Sequence, residues 1–127
     1  MRTFQLNGDT WRIVFVNPDS DLLIDRTHCR TIGTTDPETM TVCISTGLSL
    51  DMLQRVLIHE ISHCALISFD LLPYIHKIVK PQYWYEVEEW LCNFISDYGL
   101  SICNAANSVL FDDVLETILR EFERLIS

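Results

Sequence analysis

The chain changes its hydrophobic rhythm near residue 48. Before that point apolar and polar residues alternate in short runs; after it apolar residues recur every three or four positions. Alternation suits strands, whose side chains point to opposite faces in turn, and the longer period suits helices. Residues 3–6 and 11–16 flank Asn7-Gly8-Asp9. Asn-Gly is a strong turn signal, so a hairpin is predicted there. Residues 41–45 alternate and are rich in β-branched side chains, which predicts a strand. Its hairpin partner is expected at 31–34, across the turn formers of 35–40. The segment 17–30 carries little pattern beyond a short helix around 20–24.

The second rhythm opens with an apolar helix over about 49–68. Asp51 is a candidate cap, and Gln54 three residues later completes a capping-box pattern. Residues 72–80 read as a loop. A second helix is expected at 83–99, begun after Pro81 and ended near Gly99, with Val87, Leu91, Phe94, Ile95 and Tyr98 forming its buried stripe. Residues 100–106 continue as a short helical piece. Val109, Leu110, Val114, Leu115, Ile118, Leu119, Phe122 and Leu125 then recur with helical period, and charges fill the other face. That last helix is expected to pack on the core, a dimer contact being the other use of its stripe. The order of elements predicts an α+β fold in one domain spanning 1–127.

Inside the first helix stands His59-Glu60-Ile61-Ser62-His63, an H-E-x-x-H motif. Positions i and i+4 share a helix face, so both imidazoles can reach one metal ion. Neutral imidazole suits zinc, and a catalytic zinc takes three protein ligands and keeps one position open. Glu60 is placed to act on a water there as general base without being a ligand. The plain alternative is a core helix with two satisfied histidines. Burying His, Glu and His together is costly without partners, and a metal supplies one. For the third ligand the second helix offers Glu86, Glu88 and Glu89; His76 and Asp97 are further candidates.

These two helices resemble the small zincin metallopeptidases in which H-E-x-x-H is followed by a ligand Glu on a later helix, among them the ImmA/IrrE-like and related phage-encoded peptidases. Their second helix often reads E-x-x-A-N-x-F-A. Glu89-Trp90-Leu91-Cys92-Asn93-Phe94-Ile95-Ser96 is similar, with Cys92 in the small-residue place. The resemblance implies a minimal zincin-like fold: a small antiparallel sheet, the motif helix, a Glu-ligand helix and a C-terminal helix. It implies zinc held by His59, His63 and Glu89, with Asn93 supporting a histidine through its other ring nitrogen. It also implies a peptide or protein substrate added as a strand along the backbone of 41–46. Glu88 is the rival of Glu89; otherwise Glu86 and Glu88 read as a solvated acidic face. The longer H-E-x-x-H-x-x-G-x-x-H pattern fails, because position 69 is Phe69.

Composition narrows the rest. Eighteen acidic against nine basic residues give a formal charge of −9, a surface that repels phosphate backbones, so no nucleic-acid partner is expected. The apolar run 56–72 is interrupted by His59, Glu60, His63 and Asp70, so no membrane span is expected. No positively charged stretch followed by an apolar one opens the sequence, so no secretory signal is expected. Five cysteines without a C-x-x-C pair read as reduced thiols of a cytoplasmic protein. Three classes fit: a zinc peptidase, a zinc-containing binding or regulatory module, and another zinc hydrolase such as a deformylase. The last lacks its Cys motif around Cys43. A second donor for a developing oxyanion would come from His76, Tyr74, Tyr83 or Tyr85.

Overall fold

Asn7 and Gly8 both adopt positive φ, 49° and 86°. Two such residues make the tight turn whose twist matches paired strands. They join β1 (Arg2–Leu6) to β2 (Asp9–Val16) in the computed structural model, which describes residues 2–126. Next come a 3-10 turn at Asp21–Leu23, capped by Ser20, then β3 (Gly33–Asp36) and β4 (Thr41–Ser45). The sheet order is β1-β2-β4-β3. Its outer pairs are antiparallel, but the central pair β2/β4 is parallel. The expected antiparallel sheet is therefore mixed. Residues 17–40 are long enough for the return crossing that parallel strands need. β3 then folds back on β4 as the predicted hairpin.

Helix α1 (Leu50–Ser68) covers the sheet. Its cap is Ser49, whose hydroxyl accepts from the Met52 amide at 3.2 Å. Asp51 is instead in the first turn, where its charge suits the positive helix end. Val56 and Cys64 pack against Trp11, Val42 and Ile44, all buried. The C-terminus of α1 is pinned to the first hairpin. Trp11 Nε1 donates to Ser68 Oγ at 2.8 Å, and Asn7 Nδ2 donates to the Ser68 carbonyl at 2.9 Å. These bonds set how far α1 slides along the sheet, and so where its motif lies.

The predicted loop at 72–80 is largely helix α2 (Leu71–Ile78). Asp70 turns left-handed (φ 55°, ψ 36°) and redirects the chain. Pro73 is in the first turn, where its missing N–H costs nothing. Ile75 then buries against Leu66 and Cys92. After a 3-10 turn at Pro81–Tyr83 comes α3 (Trp84–Ile126). The expected stop at Gly99 does not occur. Among the described glycines only Gly8 and Gly47 take positive φ. A helical glycine costs about 1 kcal/mol relative to alanine, too little to end a long helix. The expected Glu-ligand and C-terminal helices are thus one element.

The fold is α+β. The chain divides into two compact units, Met1–Asp97 and Tyr98–Ser127. The first holds the sheet, α1, α2 and the start of α3. The second is helical, and every residue over 100–126 is exposed, so the stripe expected in the core lies at the surface. Among the described residues no single helix is long and apolar enough to cross a membrane.

Candidate metal centre

Helix α1 carries His59 and His63 one turn apart, and α3 brings Glu89 to them. His59 Nε2 and His63 Nε2 are 3.2 Å apart. Glu89 Oε2 is 3.3 Å from His59 Nε2, and Glu89 Oε1 is 3.0 Å from His63 Nε2. Ligand atoms about 2.0–2.1 Å from a tetrahedral zinc stand about 3.3 Å from one another. The three edges of this triangle match that spacing, and all three donors are of the types zinc takes. The residues fit the ion.

The other ring nitrogen of His63 meets a second carboxylate. Glu88 Oε1 is 3.4 Å from His63 Nδ1. Glu88 is 5% exposed, so the solvated face expected for it is wrong; Glu86 is exposed as expected. Successive helix residues point about 100° apart. Glu88 and Glu89 therefore straddle the His63 ring, one on each nitrogen. Arg26 pairs with Glu88 and lies over the Tyr85 ring, 4.7 Å from its centroid. Asp25 shapes the loop that delivers Arg26, accepting from the Thr27 and Cys29 amides at 2.8 and 3.0 Å.

Asn93 does not hold the place expected for it. It lines the cavity but is exposed, and it makes no hydrogen bond to either histidine; Glu88 supports His63 instead. His76 and Asp97 are not part of the triangle, although Asp97 lines the cavity. His76 stacks on Trp84 with ring centroids 4.0 Å apart, and Asp97 pairs with Arg55.

Imidazole and carboxylate hold each other charged in the site. Burial alone would lower the pKa of His63, but Cys92, Glu88 and Glu89 around the ring outweigh it and raise it well above the imidazole range. Hydrogen bonds from His59 and His63 hold Glu89 far below the usual carboxylate range. For Glu88, burial is the largest influence and opposes ionisation, yet His63 and Arg26 together keep it low.

Glu60 faces the sheet side of the same cavity. It is buried, and its Oε2 accepts from the Thr35 hydroxyl at 2.6 Å. Thr35 lies in β3, not in the loop expected there. The strand can come this close because position 33 is glycine. A Cβ on Gly33 would stand 2.7 Å from Val56 Cγ2 and 3.1 Å from Glu60 Cγ. β4 is an inner strand, paired with β2 and β3 on its two sides. The backbone of 41–45 therefore offers no free edge to a substrate strand, and the sheet edge beside α1 is β3.

The cavity has a volume of about 1270 Å³ and is lined by His59, Glu60, His63, Tyr85 and Glu89 among others. Of the four oxyanion candidates only Tyr85 lines it. Burial, helped by Glu89 and Asp25, pushes the Tyr85 hydroxyl upward, so it stays a protonated donor at neutral pH. Sequence reasoning missed Thr35, Gly33, Arg26 and the buried role of Glu88. Only the adjacency of Glu88 to Glu89 gave any signal. Compared with known protein families and curated proteins, the chain matches none, so the chemistry of the site has to be judged from its geometry.

Proposed function

We propose that this protein is a zinc-dependent peptidase with a zincin-like centre, acting on a peptide or protein segment in the cytoplasm. The observation that carries the proposal is the triangle of His59, His63 and Glu89 with Glu60 on the same cavity wall. Zinc bound there would lower the pKa of a water and polarise a carbonyl. His59, His63 and Glu89 would hold the ion, and Glu88 fixes the ring of His63. Glu60 is the general base. Thr35 occupies its Oε2, leaving Oε1 to take the proton of the attacking water and pass it to the leaving amine. Tyr85, one turn before Glu89 on α3, supplies the hydroxyl that meets the developing oxyanion. The substrate backbone runs beside β3. Five free cysteines, three of them buried, suit a reducing compartment.

The test is Glu60→Gln, which keeps shape and loses the base. Zinc content should match wild type, while hydrolysis of a peptide library falls about 10²–10⁴-fold. Should a cellular role survive Glu60→Gln but not His59→Ala, the zinc serves a binding module and the peptidase reading fails.

A further inference from the structure

The second unit leaves a helix face with nothing over it. Phe111, Leu115, Ile118, Phe122 and Leu125 follow one another at steps of four, three, four and three residues. That is a period of 3.5, the spacing of a seam between helices. Each is at least 44% exposed. Val114 and Leu119 flank the seam, 47% and 53% exposed, and widen it beyond what two heptads alone would offer. Charges pair within the helix, Arg120 with Glu116 and Arg124 with Glu121.

We propose that this stripe joins two copies of the chain, helix against helix. At roughly 100 Å² of exposed surface per large apolar residue, the seven of them offer on the order of 700 Å², close to the roughly 800 Å² that each partner of a standard interface buries. A membrane surface suits it less. Helices that lie on membranes carry Lys and Arg on the polar face. Here residues 112–124 hold five acidic side chains, Asp112, Asp113, Glu116, Glu121 and Glu123, against Arg120 and Arg124. A seam of period 3.5 calls for a partner helix of the same pattern, and a second copy provides it.

Sedimentation equilibrium of the full chain tests this independently of the metal site. Wild type should give twice the 14.8 kDa of one chain at low micromolar concentration. Ile118→Glu should weaken association by about 100-fold or more, since it buries a charge. Arg120→Glu, on the far face, should leave the dimer intact. Helicity by circular dichroism and zinc content check that Ile118→Glu still folds. If that variant is unfolded, the milder Ile118→Ala replaces it, with at least 10-fold weaker association expected. A monomeric wild type would overturn the proposal. So would a wild type that associates only with vesicles, or a dimer indifferent to both Ile118 variants.

Discussion

Glu60 and His63 stand three residues apart on α1, yet the protein holds them by opposite means. On the β3 side Glu60 receives one neutral hydroxyl, Thr35, across a gap that glycine keeps open. On the α3 side His63 is clasped by two carboxylates, and Glu88 is itself held by an arginine that lies over Tyr85. The difference suits the roles proposed for the two groups. A ligand has to keep its orientation and its basicity, and a charged partner on its second nitrogen does both. A general base has to gain and lose a proton. A neutral donor on one oxygen steadies the carboxylate while leaving the other free.

Removing a ligand should break the comparison most severely. Glu89→Ala is expected to abolish stoichiometric zinc binding, because two histidines alone leave the ion short of a ligand. Calorimetric zinc titration measures it. Glu88→Gln keeps the shape beside His63 but not the charge, and should weaken zinc binding about 10–100-fold. An affinity for zinc equal to that of wild type would show that Glu88 serves packing alone. Thr35→Val should have the smallest effect on metal and a visible one on turnover. It leaves Glu60 without its hydroxyl, so kcat is expected to fall about 10-fold with KM and zinc content unchanged, and Thr35→Ser should restore it. A loss of zinc in Thr35→Val would erase the distinction between the two sides.

Much of this was legible in the sequence because it is local. The i, i+4 histidines, the Asn7-Gly8 turn and the hairpin ending at β4 all depend on residues within a few positions of one another. The expected helix at 49–68 differs from α1 by one residue. What escaped depends on contacts across the chain. Glu88 looks solvated until β2 is seen to be followed by a loop that brings Arg26 to it, 62 positions away in sequence. Thr35 looks like a turn residue until β3 lies against α1. The parallel pairing of β2 with β4 has no local signature, since it depends on how 17–40 crosses the sheet. Gly99 misled for a different reason: a single glycine costs about 1 kcal/mol relative to alanine, too little to end a helix that continues on both sides.

The central claim is that His59, His63 and Glu89 hold one zinc ion. The most direct measurement is elemental analysis of wild type, His63→Ala and Glu60→Gln, each purified without added metal and then dialysed against low-micromolar zinc. One zinc per chain is expected in wild type and in Glu60→Gln, and almost none in His63→Ala. Full occupancy in His63→Ala, or none in wild type, would contradict the account.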